Sequence, residues 1–135
     1  MRLLIDGNIL LDVLQKREPH YEESANVWRM CETDLAEGCV SALTFANLVY
    51  VMRKELNEEK IREVHQKLSL IFNFEDLNAS DISTAVDMKW DDFEDAVQAA
   101  TAKRIHADYI ITRNVKDFSK GEVMALTPTE FLARQ

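Results

Sequence analysis

Carboxylates dominate the residues of this chain that could do chemistry: Asp and Glu number 24, against three histidines and two cysteines. Four aspartates stand where structure would expose them together. Asp6 closes the apolar run RLLI, Asp92 and Asp95 open a helical stretch beginning at Trp90, and Asp117 lies just past the apolar triplet YII. Clustered carboxylates repel one another unless a divalent cation sits among them, because an uncompensated charge near a core is costly. An all-oxygen donor set selects Mg²⁺ or Mn²⁺ over zinc. His20, His65 and His106 show no metal spacing, and Cys31 and Cys39 lack zinc spacing and read as idle thiols. Between Ala100 and Lys120 five basic residues (Lys103, Arg104, Arg113, Lys116, Lys120) face two acidic ones, Asp108 and Asp117. A cation held by acids beside local positive charge suits phosphodiester hydrolysis, in which the metal activates water and neutralises developing charge.

The elements that must position these acids follow from apolar periodicity. Arg2 to Ile5 reads as a buried parallel strand whose end delivers Asp6 to the carboxyl edge of a sheet. A helix from Asn8 buries Ile9, Leu10, Val13 and Leu14, with Asn8 and Asp12 as i,i+4 neighbours on its other side. Asp6 could also serve as that helix's cap, and Asp12 as a solvated face residue. Pro19 suits the first turn of a second helix running to about Ala36, which Gly38 would end. Cys39 to Ala42 is a second strand, and Leu43 to Lys54 a helix burying Phe45, Leu48, Val49 and Met52, with Asn47 on a different stripe. Asn57 or a neighbour caps a helix from Glu58 to about Phe72. Phe74 to Leu77 is a third strand, and Ser80 or Asp81 caps a short helix through Met88.

In the next helix Asp92, Asp95, Ala99, Ala102 and His106 share one stripe, and Phe93, Ala96, Val97 and Ala100 form the buried stripe beside it. The alanines let a strand approach closely, which would hold Asp95 against the sheet; Asp92 fits the first turn and Glu94 reads as plain surface. Tyr109 to Ile111 is a central strand, with Thr112, Arg113, Asn114 and Asp117 in the turn beyond it. Val123 to Leu126 is a last strand, and Thr127 to Glu130 a capping box with Pro128 at the first helical position. Alternating strands and helices predict a three-layer α/β/α sandwich around a mostly parallel sheet, in one domain spanning residues 1–135. Strand carboxyl ends then share one edge, where Asp6, Asp95 and Asp117 would converge.

Composition sets limits. At 135 residues, 47% hydrophobic and 30% charged, the chain is long enough to bury a core without staples. No apolar run reaches a membrane span, and MRLLIDGN is too short in its apolar part for a signal peptide, so a cytoplasmic location is expected. The net charge of −8 opposes non-specific nucleic-acid binding, leaving the local basic segment to meet phosphate. Only three glycines occur, at none of the spacings of a Walker loop or dinucleotide-binding turn, so no nucleotide cofactor is expected.

IDGNILLDVL, SALTFANLVYV and EDAVQAATAKRIHADYIITRNVKDF, in that order, resemble the PIN-domain family, over essentially the whole chain. The resemblance implies a Mg²⁺- or Mn²⁺-dependent ribonuclease of the kind that forms the toxin half of bacterial toxin–antitoxin pairs. Its expected partners are an RNA substrate, a small antitoxin protein and a second copy of the chain in a homodimer. By motif position Asp6 matches the family's first acid and Asp95 its third. The fourth maps to the turn holding Asn114 and Asp117, and Asn8 and Thr112 match polar supporting residues. Asn47 stands where the family usually has glutamate. Asp6, Asp95 and Asp117 are therefore the expected catalytic and metal-binding set, with Asp92 a possible substitute and Arg113 or Lys116 steadying phosphate. One well-held cation and a weak or absent second one are expected. Two other readings compete: a PIN-like module without turnover, which Asn47 favours, and an aspartate-based phosphotransfer domain. The latter would want an acid at Asn8 or a lysine at Thr112.

Overall fold

Five short strands form one all-parallel sheet in the computed structural model, which describes residues 1–135. They are β1 (Arg2–Ile5), β2 (Glu37–Ser41), β3 (Asn73–Glu75), β4 (Tyr109–Ile111) and β5 (Met124–Leu126). Seven helices accompany them: α1 (Gly7–Leu14), α2 (Tyr21–Glu32), α3 (Ala42–Val51), α4 (Glu58–Ile71), α5 (Ala79–Met88), α6 (Phe93–Arg104) and α7 (Pro128–Ala133). A 3₁₀ turn, Val115–Phe118, follows β4. The spatial order β3-β2-β1-β4-β5 reverses its direction of winding between β1 and β4. At such a reversal the crevice beyond the strand ends is open to ligands. Ile5 is in register with Ile111, so Asp6 and Thr112 leave the sheet side by side.

The period-2 alternation of β1 divides the core. Leu3 and Ile5 enter a cluster with Ile9, Val27, Trp28, Leu48, Leu68 and Phe131 on one face. Leu4 points the other way, to Ala99, Ala102, Ile105, Ile110 and Phe118. Helices thus cover both faces, and the expected three-layer α/β/α sandwich is what forms. The small residues of α6 do what their spacing promises: Ala96, Ala99, Ala100 and Ala102 are all buried. No helix is long and apolar enough to cross a membrane.

Several local expectations need correction. α2 starts at Tyr21, after Pro19, and ends at Glu32, where Asp34 adopts a left-handed φ of 59°. Gly38 lies inside β2 and does not end a helix. Its role is close approach: a Cβ there would sit 2.7 Å from both Cys31 Sγ and Phe72 Cδ1. α5 is capped by Asn78, and Asp81 is the third residue of that capping box. Asp81 is nearly fully buried and accepts bonds from Arg104 Nε (2.8 Å), Arg104 Nη2 (3.0 Å) and Thr101 Oγ1 (3.2 Å), which ties α5 to α6. Burial pushes the Asp81 carboxyl up, and the Arg104 guanidinium with the Asn78 N–H outweighs it, so the group ends below the usual carboxylate range. Phe93, expected in the core, is 47% exposed at the first residue of α6, whereas Ala96 in the same turn is fully buried. His106 falls past the end of α6 at a φ of 57° and is exposed.

Candidate active site

Asp6 is the best-fixed acid of the sheet edge. As cap of α1 its Oδ1 accepts the Gly7 N–H at 2.8 Å, and its Oδ2 accepts Thr112 Oγ1–H at 2.8 Å from the end of β4. Asn8 Nδ2 donates to the same Oδ2 at 3.4 Å, and Asn8 Oδ1 accepts the Arg113 N–H. Capping and membership of the site are therefore one arrangement, since the cap bond uses a single oxygen. Thr112 is fully buried, and its hydroxyl also accepts the Asn114 N–H at 3.0 Å, stitching the turn after β4 to Asp6. Burial raises the Asp6 carboxyl above its ordinary range, against the hydrogen bonds from Thr112, Gly7 and Gln98 and the charge of Arg113.

Gln98 is a residue that periodicity did not reveal. It is 3% exposed, donates Nε2 to Thr44 Oγ1 at 2.9 Å and reaches Asp6, while its Oε1 meets no donor. A glutamine three residues after Asp95 in an alanine-rich stripe was the available signal, since a buried amide among alanines must have polar partners.

Asp95 is half-buried at the start of α6, where its N–H donates to the Asp92 cap at 3.0 Å. Its carboxyl is pushed up to about 7, first by burial and then by the charges of Asp92, Asp6, Asp117 and Glu94. Four acids from both ends of the chain thus act on one carboxylate. Asp92, Asp95 and Asp117 line a hollow of about 160 Å³ together with Asp91, Lys116 and Lys120. Asp6 opens on a neighbouring hollow of similar size, with Asn8, Thr44, Asn47 and Glu94 in its wall.

The remaining candidates divide. Asn114 lines a different depression, beside Arg113, His20 and Thr127, so Asp117 is the member of that turn facing the acids. Arg113 is not free to swing onto a phosphate as expected: its Nε donates to Asp12 Oδ2 at 3.1 Å. Asp12, read from sequence as solvated or functional, is fully buried and shares that oxygen with Ser24 Oγ at 2.9 Å. It acts as the anchor that holds Arg113. Asn47, where the family usually has glutamate, donates Nδ2 to Glu94 Oε1 at 2.7 Å.

The donor chemistry fits a hard divalent cation. Asp6, Asn8, Asp92, Asp95 and Asp117 offer carboxylate and amide oxygens with no histidine or cysteine among them, and the mutual repulsion felt at Asp95 is what a cation relieves. As the side chains stand, no three acidic, histidine or cysteine groups are close enough to hold one ion, so any cation would draw carboxylates inward.

A parallel sheet with helices on both faces and acids gathered at its winding reversal defines an α/β domain with a carboxylate-lined site. The family model for the PIN domain matches residues 2–116, and the chain belongs to that family. No curated protein matches it. Among solved structures, VapBC2 from Rickettsia felis bound to a DNA fragment from their promoter is similar at 16% identity and a TM-score of 0.71, over 94% of this chain and 98% of that one. A toxin–antitoxin complex from Klebsiella pneumoniae is similar at 23% identity and a TM-score of 0.71, over 93% and 97%. VapC20 of Mycobacterium tuberculosis, a sarcin-ricin loop cleaving toxin, is similar at 11% identity and a TM-score of 0.64, over 80% and 86%. At these identities the likeness is one of fold. Family membership and these neighbours together support a PIN-type nuclease.

Proposed function

We propose that this chain is a divalent-metal-dependent endoribonuclease and the toxin of a toxin–antitoxin pair. The observation that carries the catalytic reading is the convergence of Asp6, Asp92, Asp117 and Glu94 on Asp95, whose carboxyl they help push up to about 7. Carboxyls shifted in this way gather at functional sites, and a bound cation would relieve the repulsion. Asp6, Asp95 and Asp117 would hold Mg²⁺ or Mn²⁺, which when bound supplies an activated water and neutralises charge on the phosphate. Thr112 and Asn8 fix the Asp6 carboxylate, Asp92 fixes the start of α6, and Lys116 and Lys120 in the wall of the acidic hollow meet the phosphates flanking the cut. Arg113 contributes at one remove, by holding the turn after β4 against α1.

Single-stranded RNA is the favoured substrate, because an open edge with two lysines can admit a flexible backbone while the remaining acidic surface repels a duplex. Labelled single-stranded RNA incubated with Mn²⁺, Mg²⁺ or EDTA tests the reading. Metal-dependent cleavage lost in Asp95→Asn is expected. No cleavage by the wild-type chain at any metal concentration would leave a binding module without turnover, the reading Asn47 favours. The antitoxin is supported by the toxin–antitoxin complexes among the structural neighbours. Growth arrest on induced expression, rescued by a small protein encoded beside this one, tests it. A homodimer is expected as well, and sedimentation velocity decides that point.

A further inference from the structure

Glu94 is an exposed glutamate in the first turn of α6, where the helix dipole alone would explain its charge. The dipole does not explain where its carboxylate is held. Asn47, on α3, donates Nδ2 to Glu94 Oε1 at 2.7 Å across two separate helices. Both residues line the hollow of about 160 Å³ that opens beside Asp6, with Asn8 and Thr44 in its wall. No Lys or Arg pairs with Glu94, so its charge next to Asp6 is left without a protein cation. Behind that hollow, Gln98 donates to Thr44 and keeps a buried Oε1 with no donor, an acceptor without a partner beside the same acids.

We infer that Glu94 is a further carboxylate of the divalent-cation site, on the Asp6 side, and that Asn47 is its positioning residue. The inference rests on the metal-dependent reading above. Position 47 adds no charge of its own, yet its amide fixes an oxygen donor reaching over from α6. The site therefore regains on one helix the negative charge that the facing helix lacks. Asp6 then stands between two groups of donors: Glu94 in one hollow, and Asp95 with Asp117 in the other.

Mn²⁺ binding, followed by isothermal titration calorimetry and by the loss of the free-ion electron paramagnetic resonance signal, tests this without reference to turnover. Glu94→Gln is expected to weaken Mn²⁺ binding by about tenfold or more, and Asn47→Ala by a smaller factor. In the double variant Asn47→Ala should add nothing, since its effect passes through Glu94. Glu94 is exposed, so Glu94→Gln should melt like wild type, and a matching thermal transition establishes that the variant is folded. Wild-type Mn²⁺ affinity in Glu94→Gln overturns the assignment. A loss in Asn47→Ala that persists on the Glu94→Gln background overturns the positioning role. Asp95→Asn separates the two levels: if it abolishes Mn²⁺ binding while Glu94→Gln does not, only this inference falls. If the wild-type chain binds no Mn²⁺, both fall together.

Discussion

Asp95 carries the clearest physical signature at the scale of single residues. Its carboxyl is pushed up to about 7 in the folded chain, above its value in the unfolded chain, by burial and four neighbouring acids. The folded state therefore takes up a proton before the unfolded state does. The corresponding stability is fully present below about pH 4 and is lost as pH rises through about 7. In EDTA, thermal melts between pH 8 and pH 5 should show a stability contribution that grows as pH falls. Saturating Mn²⁺ should flatten that trend, and Asp95→Asn should remove it while raising the midpoint at pH 8. Because Asp95 is only half-buried, solvent screens the repulsion and the shift should amount to a few degrees. An Asp95→Asn variant melting below wild type at pH 8 without metal would show that the carboxylate is instead stabilised there. Arg113 invites a contrasting measurement. Arg113→Ala strands the fully buried Asp12 with Ser24 as its one remaining donor, and should cost about 3 kcal/mol in denaturant unfolding. Lys116→Ala, at an exposed side chain, should leave stability within about 0.5 kcal/mol of wild type.

At the scale of elements, two contacts govern how firmly the site is framed. The ion pair of Asp81 and Arg104 locks α5 to α6, the helix that presents Asp92, Glu94 and Asp95. Arg104→Met would leave a buried carboxylate with Thr101 and a backbone N–H, at a cost of about 3 kcal/mol. Asp81→Ala should cost less, because Arg104 is 31% exposed and water can serve it. Equal costs would mean that the pair's worth lies in packing. Gly38→Ala tests the other contact: a methyl meeting Cys31 and Phe72 at 2.7 Å should destabilise by about 1–3 kcal/mol, read from the urea midpoint. These elements also show how much could be read from sequence. The alternation of strands and helices, the alanine face of α6 and the capping box of α7 were legible because each follows from a local pattern. Gly38 misled because a glycine after a helical stretch commonly ends it, whereas here its missing side chain admits Phe72 from another element. Phe93 misled because periodicity records a stripe and not how far along the helix that stripe stays covered. At the site, Asp6 with Asn8 and Thr112 was legible from motif position. The Arg113–Asp12 pair, the Asn47–Glu94 bond and buried Gln98 were not, since each joins residues 47 to 101 positions apart through side chains alone.

On the scale of the whole molecule, the difficulty is how a chain of net charge −8 receives a polyanion at an edge that is itself acidic. Distribution resolves part of it. Lys116 and Lys120 line the hollow that holds Asp92, Asp95 and Asp117, and both side chains are exposed. Lys103, which lines a neighbouring hollow with Lys120, is already engaged with Glu122 at 2.7 Å. Two phosphate contacts are therefore what the protein offers directly. Counterion release then sets the salt dependence of single-strand binding: for two phosphates neutralised, log K should fall against log salt with a slope of about −1.4. Fluorescence anisotropy with a labelled RNA, using Asp95→Asn to prevent turnover and a fixed Mn²⁺ concentration, measures that slope. Replacing both lysines by alanine should bring it close to zero and weaken binding similarly for RNAs of different sequence, because these contacts read charge and not bases. A slope much steeper than −1.4 in the unsubstituted background would mean that the RNA engages basic groups beyond this hollow, with Arg17 past the end of α1 next to be tested. A slope unchanged by the double replacement would move the RNA path away from the turn after β4 altogether.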